Sequence, residues 1–348
     1  MMTKRLSALF LALAAFSVIS CTGGLQKGAD YGKFDDGFDK VARETALVRS
    51  TDQVHSIVVL KGGKLIYEYH DPGHSMTQRH VLWSTSKSFT SLAVGFAIQD
   101  GLLSLDDKVV KFFPEAVPAE PDSLLNEVTV RDLAIMASGF GKDYIGQMRA
   151  GMEHIADSFF AQPFKFVPGS RYEYNSTNTY LMGVIVSKLT GKSLDVYLGE
   201  KLFKPLGIKD WYWEKSAEGY CFGGWGLYLS PESLAKAGQF LLQKGQWKGR
   251  QLLDAAYIEE ATAKQIDQYI PGTLRPDIEK IAPTSDFYQG YGYQFWTCTH
   301  GAYRMSGAYG QWVFVIPDKD AVIVLTGYTA SGGQQLMNLI WDNIYPAL

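Results

Sequence analysis

The sequence predicts an α/β fold in which both ends of the chain build one sheet and a helical lobe is inserted between them. Two β-rich runs flank "KGGK" in "SIVVLKGGKLIYEYH", a pattern typical of a hairpin. Further strand patterns occur only near the C-terminus, in "YGYQFWTC", "QWVFVIP" and "AVIVLTGY". Residues 101–290 have mostly helical and loop patterns, so the lobe is predicted there.

Two further helices are predicted, and a helix is expected to cover each face of the sheet. One is the amphipathic segment "FDDGFDKVARETAL", which precedes the hairpin, and the other is "GGQQLMNLIWDNIY", which closes the chain. A sheet with two apolar faces needs a layer on each side, so this arrangement completes one compact domain over residues 34–348.

The composition is that of a globular protein and does not indicate nucleic-acid binding. Of the 348 residues, 46% are hydrophobic, and the formal net charge is −3. Because no stretch is rich in Lys and Arg, no nucleic-acid partner is predicted.

The N-terminus has the pattern of a secretory signal. Lys4 and Arg5 precede an apolar run that ends in small residues, so residues 1–20 are predicted to be a signal peptide. The ending "VISC" resembles a bacterial lipobox, which predicts a lipid on Cys21 and a tether over residues 21–33. The predicted location is that of an exported bacterial lipoprotein, at the periplasmic face of a membrane or the cell surface. Membrane contact would occur only through the lipid. An ordinary signal cleaved nearby is the alternative.

Two cysteines, Cys221 and Cys298, remain in the body of the chain. An exported protein can form a disulfide, yet the sequence leaves their pairing open. Two unrelated core residues are the preferred interpretation.

A serine and a lysine lie at the start of a segment that is apolar on nearly every side. Ser84 and Lys87 begin a predicted buried helix over residues 84–100, which stops at Gly101. Residues three apart share a helix face, so the two side chains should meet. Burial and the helix N-terminus both lower the pKa of such a lysine, and a neutral lysine can take a proton from a hydroxyl.

The same S-x-x-K spacing occurs again at Ser233 and Lys236. There it lies inside an ordinary amphipathic helix that begins with Ser230 and Pro231, which are typical helix-start residues. We interpret this second pair as structural.

The proposed chemistry also needs a group that passes a proton to the leaving group. Tyr174 precedes a polar run and an amphipathic helix predicted from about 178 to 190. A tyrosine beside a lysine can act as a general acid and base, so Tyr174 is the candidate.

Six stretches of the chain form an ordered set of motifs: "WSTSKSFTSLAVGFAIQDGLLSLDD", "YEYNSTNTYLMGVIVSKLTGKSL", "KPLGIKDWYW", "GGWGLYLSPESLAKAGQFLL", "YGYQFW" and "MSGAYGQWVFVIPDKDAVIVLTG". Together they resemble the serine beta-lactamase and penicillin-recognising superfamily. The resemblance is strongest to its class C-like hydrolases related to 6-aminohexanoate-dimer hydrolase and beta-lactamase-like esterases. The resemblance implies a beta-lactamase/transpeptidase-like fold, an antiparallel sheet flanked by helices plus an all-α lobe. It also implies that Ser84 is the nucleophile, Lys87 its lysine and Tyr174 the second-motif tyrosine, with no cofactor.

Two departures from the family pattern bear on the substrate. Ser176 stands where beta-lactam-binding relatives have asparagine, and Ala302-Tyr303-Arg304 falls where K-T-G is expected. These departures favour a small-molecule ester or amide, and not a beta-lactam, as the substrate. The alternatives are a beta-lactamase or DD-peptidase, and a non-catalytic, penicillin-binding-like protein that binds wall peptides.

The resemblance also suggests which groups contact the reacting carbonyl and the rest of the substrate. The N–H groups of Ser84 and Met305 are expected to hold the oxyanion. Ser176 and Gly307 are expected to contact the substrate.

Three histidines lie close together in "YHDPGHSMTQRH": His70, His74 and His80. Solvated loop histidines are the preferred interpretation and a metal site the alternative, so no metal centre is predicted.

Overall fold

The computed structural model describes residues 24–33, 35–48, 52–330 and 333–348. The predicted signal peptide and Cys21 lie outside these residues. Within the described part of the chain, no helix combines the length and apolar character that would let it span a bilayer.

The main sheet has six antiparallel strands and is built from both ends of the chain, as predicted. Its strand order is β2-β1-β11-β10-β9-β8. These strands are β1 (Gln53–Lys61), β2 (Lys64–His70), β8 (Trp296–Thr297), β9 (Tyr303–Gly307), β10 (Gln311–Ile316) and β11 (Ala321–Tyr328). The predicted hairpin is β1–β2, and all strand pairs are antiparallel.

Two small sheets lie outside the main one. One has the order β3-β5-β4 and the other pairs β6 with β7. Their strands are β3 (His80–Val81), β4 (Tyr212–Trp213), β5 (Leu227–Leu229), β6 (Gln246–Trp247) and β7 (Arg250–Gln251).

Eleven α-helices are present in the described residues. They are α1 (Asp35–Val48), α2 (Ser86–Gln99), α3 (Val130–Ala134), α4 (Ile145–Arg149), α5 (Ile155–Phe160), α6 (Ser176–Thr190), α7 (Leu194–Leu198), α8 (Pro231–Leu242), α9 (Ala255–Thr262), α10 (Pro276–Ile281) and α11 (Gly333–Asn343).

Alternating residues of the strands are buried in two separate hydrophobic cores, one on each face of the sheet. On β1, Ile57 and Val59 join the core under α1 and α11, whereas Val58 and Leu60 join the core under α2 and α8. This follows from the two-residue period of a strand. The prediction that each face carries a helix is confirmed.

The helical lobe is less continuous than the predicted range of 101–290. Helix α8 lies within that range but packs on β11, β10 and β1. A Cβ added at Gly238 would come within 2.5 Å of Val322, so this glycine lets the helix approach the sheet closely. The range also contains the strands β4 and β5. The amphipathic stripe of α8 therefore belongs to the sheet layer and not to the lobe.

The predicted tether is partly docked on the domain. Gly28 N donates to Leu65 O at 2.8 Å, and Leu65 N donates to Gln26 O at 2.8 Å, so residues 26–28 run along the edge strand β2. The edge strand of a sheet has unpaired backbone groups, and this segment satisfies some of them.

Both cysteines of the body, Cys221 and Cys298, are free and buried. The interpretation that they are unrelated core residues is confirmed.

Candidate active site

Ser84 lies in a 3₁₀ turn, Trp83–Thr85, that leads directly into α2. The Thr85 hydroxyl donates to the Gln311 carbonyl at 2.6 Å, which ties the turn to β10. Trp83 has a φ of 48°, a strained conformation for a bulky residue. Such strain persists only where the surrounding structure imposes it. Here the strained backbone of Trp83 sets the direction in which the chain enters Ser84.

Helix α2 is buried throughout its first twelve residues, as its apolar sequence predicted. Lys87 is 1% exposed although it is cationic in water. Its Nζ lies 3.3 Å from Ser84 Oγ and 3.1 Å from Ser176 Oγ, and it donates to the Gly224 carbonyl at 2.8 Å. The predicted meeting of Ser84 and Lys87 is therefore found in the structure, although α2 begins at Ser86 and Ser84 lies in the 3₁₀ turn before it.

Burial lowers the pKa of Lys87 to about 7, while the negative charge of Asp143 opposes this change. A lysine with such a pKa is unprotonated in a large fraction of molecules at neutral pH. It can therefore accept a proton from the hydroxyl beside it.

Tyr174 is the third group of the site, close to both Ser84 and Lys87. The residue is 37% exposed, and its hydroxyl lies near enough to the Ser84 side chain for the serine to lower the pKa of the phenol. Lys87 Nζ lies 4.9 Å from the centre of the ring. Desolvation raises the pKa of Tyr174, and the neighbouring Ser84 side chain only partly offsets this, so the phenol stays protonated at neutral pH.

The tyrosine ring belongs to an aromatic wall. Its centre lies 5.9 Å from that of Trp296 and 6.5 Å from those of Tyr172 and Tyr291. A wall of this kind favours an apolar part of a ligand over a charged one.

Ser176 is the first residue of α6, and its side chain faces Lys87, as described above. Its backbone N–H donates to Asp143 Oδ2 at 2.7 Å. Asn175 between it and Tyr174 points away: it caps α6 by accepting from Thr177 N at 2.9 Å and donates to Lys142 O at 3.0 Å. Ser176 therefore occupies the position beside Lys87, whereas the side-chain amide of Asn175 has a structural role as the cap of α6.

The strand β9 runs beside the turn that carries Ser84. Gly307 makes the closest approach: a Cβ added there would lie 2.2 Å from Leu82 O and 3.0 Å from Thr85 Oγ1. Met305 is fully buried in the core under α2 and pairs with Val313. Only its backbone is therefore available to a ligand.

The predicted correspondence of Ala302-Tyr303-Arg304 with the third motif is wrong, because the segment beside the turn is Met305–Gly307. Arg304 has no exposed surface, and its Nη1 donates to Asp286 O at 2.7 Å. Its guanidinium is also covered by Trp296 and Phe287, with 5.1 Å to each ring centre. Arg304 therefore cannot reach a substrate carboxylate in the cleft.

Two residues of the site were missed by sequence reasoning. Gly224 supplies the carbonyl that accepts from Lys87, and it must be small, because a Cβ there would lie 3.1 Å from Ser176 O. Asp143 holds Ser176 and faces Lys87. The stretch "GGWG" could have indicated a close backbone approach, whereas no local pattern distinguishes Asp143 from other loop aspartates.

The second S-x-x-K pair has the structural role predicted for it. The Ser230 side chain accepts from Ser233 N at 3.2 Å as the cap of α8, and Lys236 pairs with Glu232 at 2.9 Å.

A cavity of about 490 Å³ opens next to this site, lined by residues that include Phe166, Arg171, Tyr172 and Tyr269. Ser84, Lys87 and Tyr174 are not among its lining residues. Its one link to the site in the described residues named above is Tyr172, which also belongs to the aromatic wall.

The six-stranded sheet, its flanking helices and the helical lobe form the beta-lactamase/transpeptidase-like fold, as predicted. The chain belongs to the Beta-lactamase family, which it matches over residues 53–335. It is thus a hydrolase of that family.

Similar proteins include one curated relative and several solved structures. The chain is 26% identical to 6-aminohexanoate-dimer hydrolase of Paenarthrobacter ureafaciens over 291 residues, which covers 77% of this chain and 71% of that protein. It resembles the structure of EstCE1, a hydrolase with promiscuous acyltransferase activity, with a TM-score of 0.68, 16% identity and coverage of 88% and 98% of the two chains. A D-stereospecific amidohydrolase from Streptomyces sp. has a TM-score of 0.65 with 16% identity and the same coverage of both chains.

Proposed function

We propose that this protein is a serine hydrolase that cleaves an ester or amide bond of a small molecule through an acyl-enzyme on Ser84. The observation that carries the proposal is the buried Lys87 amine, 3.3 Å from Ser84 Oγ, with a pKa of about 7. A nucleophile and a base within hydrogen-bond reach are the minimum requirement for this chemistry.

In the acylation step, Ser84 Oγ gives its proton to Lys87 Nζ and attacks the carbonyl carbon of the substrate. The C–O or C–N bond to the leaving group then breaks, and that group takes the proton of the Tyr174 hydroxyl. Tyr174 regains a proton from the Lys87 ammonium group. The phenol suits this role, because its raised pKa keeps it protonated until the leaving group needs the proton.

The charge that develops on the carbonyl oxygen needs N–H donors. We propose the Ser84 N–H in the turn before α2 and an N–H of β9 in the segment from Met305 to Gly307. Support comes from the contact between this segment and the Ser84 turn. Backbone donors fixed in this way stabilise a transition state without reorganising.

Deacylation uses the same groups with water as the nucleophile. Water loses a proton to the Lys87–Tyr174 pair, its oxygen attacks the acyl carbon, and Ser84 Oγ leaves with a proton from the pair. The free acid departs, so the cycle needs no cofactor.

The proposed substrate is a small ester or amide with an apolar acyl part. Supporting observations are the aromatic wall beside Tyr174 and the short side chain of Ser176. The similar proteins named above, a dimer hydrolase, a hydrolase with acyltransferase activity and an amidohydrolase, agree with this class of bond.

Intact-protein mass spectrometry tests the proposal. The protein is exposed to a panel of p-nitrophenyl acyl esters and beta-lactams while product release is followed in parallel. We expect an adduct of one acyl group on wild-type protein and on Ser233→Ala, and none on Ser84→Ala. Ser233→Ala is a matched control, because it alters the other S-x-x-K pair.

The other outcomes separate the alternatives. Turnover of beta-lactams at rates like those of esters would identify a beta-lactamase or DD-peptidase. Absence of any adduct on wild-type protein would instead favour a non-catalytic protein that binds wall peptides.

A further inference from the structure

Three histidine rings from three separate segments meet outside the Ser84 site. His55 lies in β1, His74 in the loop after β2, and His80 in β3. The ring centres are 3.9 Å apart for His55 and His74, 5.3 Å for His74 and His80, and 5.5 Å for His55 and His80. Three of the six histidines of the chain therefore share one small volume.

The grouping differs from the one that the sequence suggested. His70 is held elsewhere, with Nδ1 2.8 Å from Ser56 Oγ and Nε2 3.4 Å from Glu68 Oε2. His55, which is distant in sequence, takes its place because β1 runs beside the loop. The interpretation of His74 and His80 as solvated loop residues is wrong, because each buries a ring nitrogen.

Each ring of the cluster buries one nitrogen that lacks a hydrogen-bond partner in the described part of the chain. These atoms are His55 Nδ1, His74 Nδ1 and His80 Nε2. Buried polar atoms without partners are unfavourable and are rare in native proteins. Three of them side by side point to a missing group that interacts with several imidazoles at once.

A metal ion is such a group. One ligand atom from each ring lies within 4.8 Å of the other two. A tetrahedral zinc ion with Zn–N bonds of about 2.0–2.1 Å needs nitrogens about 3.4 Å apart. The His55 and His74 rings are stacked with 9° between their planes, so at least one of them must turn to share an ion with the other. The χ2 angle of histidine has a broad minimum, which allows that rotation.

The charge state of the cluster is compatible with an ion. Burial, together with the other histidines, lowers the pKa of His80 to about 4, and burial also lowers the pKa of His55. A metal binds the neutral form of an imidazole, which a lowered pKa favours at His55 and His80. The negative charge of the Asp71 carboxylate acts on His55 and would favour a cation there.

We propose that His55, His74 and His80 bind one zinc ion, with a water molecule as the fourth ligand. Zinc fits a site of three imidazoles better than magnesium or calcium, which prefer oxygen ligands. The ion would link β1, the loop and β3. Since His80 lies four residues before Ser84, this link would steady the segment that leads into the active-site turn without entering the reaction.

Metal analysis of the whole protein tests the site. The full chain is purified without a polyhistidine tag, treated with a chelator and titrated with Zn²⁺, with zinc per chain measured after gel filtration. We expect one ion per chain. We also expect a rise of roughly 5 °C in Tm at a hundredfold excess over Kd.

The variants locate the ion. His74→Gln and His80→Gln should each weaken Zn²⁺ binding at least about tenfold, whereas the matched control His70→Gln should bind like wild type. Ser84→Ala should also bind zinc normally, so the outcome is independent of the proposed hydrolase activity. Less than about 0.2 ion per chain, or unchanged affinity in both cluster variants, would overturn the proposal.

Cobalt keeps the test decisive if a variant does not fold. Co²⁺ added to wild-type protein should give the visible absorption of a four-coordinate ion with nitrogen ligands. A spectrum of hexaaqua Co²⁺ alone would overturn the site.

Discussion

The Nζ atom of Lys87 lies 3.3 Å from Ser84 Oγ, at the buried start of α2. The spacing of three residues brings the two groups together, because the 3₁₀ turn that holds Ser84 continues directly into the helix that holds Lys87. The amine is held in place by Gly224 O, which comes from a segment 137 residues away. This combination of local spacing and distant contact makes the lysine both buried and aimed at the serine.

The rate of ester hydrolysis should depend on pH through Lys87. Its pKa is lowered to about 7, and the neutral form is the base, so kcat/KM should rise as pH increases through 7 and level off above it. The expected ratio between pH 8 and pH 6 is about tenfold, measured on a p-nitrophenyl ester with correction for spontaneous hydrolysis. A flat profile from pH 6 to pH 9 would contradict this role.

Tyr174→Phe should keep substrate binding and lose turnover. The change retains the aromatic wall and removes the hydroxyl beside Ser84, so kcat should fall by about 10²–10⁴ while KM changes little. Steady-state kinetics measure both values. Tyr172→Phe is the matched control, because its ring belongs to the same wall, and it should change kcat less than about threefold. A kcat loss below about tenfold for Tyr174→Phe would assign the proton transfer to another group.

Short acyl esters or simple amides should be better substrates than nitrocefin or a D-Ala-D-Ala peptide. Ser176 has one hydroxyl where an asparagine amide offers two donors, and Met305–Gly307 offers no cation to a carboxylate. The expected preference in kcat/KM is at least about a hundredfold, or about 2.7 kcal/mol in transition-state free energy. Similar efficiency on nitrocefin would restore the beta-lactamase alternative.

Gly307→Ala should disable the site from the strand side. The added Cβ would lie 2.2 Å from Leu82 O, so either the Ser84 turn or β9 must move. Misplacement by about 1 Å can cost about 10² in rate, and a loss of that size in kcat/KM is expected. Gly146→Ala in α4 meets nothing within 4 Å and should retain activity. Unchanged activity in a folded Gly307→Ala protein, checked by circular dichroism, would exclude this strand from the site.

We also propose that the chain is an exported lipoprotein with its lipid on Cys21. Full-length protein made in a bacterium should partition into the detergent phase, because a lipid-anchored chain is held at a membrane. Cys21→Ala should become soluble or remain unprocessed. Mass spectrometry of the N-terminal peptide identifies the modification, and a wild-type protein that is cleaved elsewhere and freely soluble would refute it.

The sequence alone was sufficient to predict the features that depend on residues a few positions apart. The hairpin β1–β2, the buried helix after Ser84 and the cap at Ser230 each follow from residues a few positions apart, whose geometry a strand or helix imposes. The pairing of Ser84 with Lys87 is of the same kind. Local periodicity predicts such contacts because the chain has few ways to arrange neighbouring residues.

Only the tertiary structure decided which distant groups complete the site. Ser176 and Lys87 are 89 residues apart, and Asp143, Gly224 and His55 show no local pattern that marks their roles. The third-motif segment was placed three residues too early for a related reason: the turn between β9 and β10 sets which part of the strand meets Ser84. Packing of α2 between the sheet and α6 fixes these contacts, and packing depends on shape across the whole core, which a linear pattern does not record.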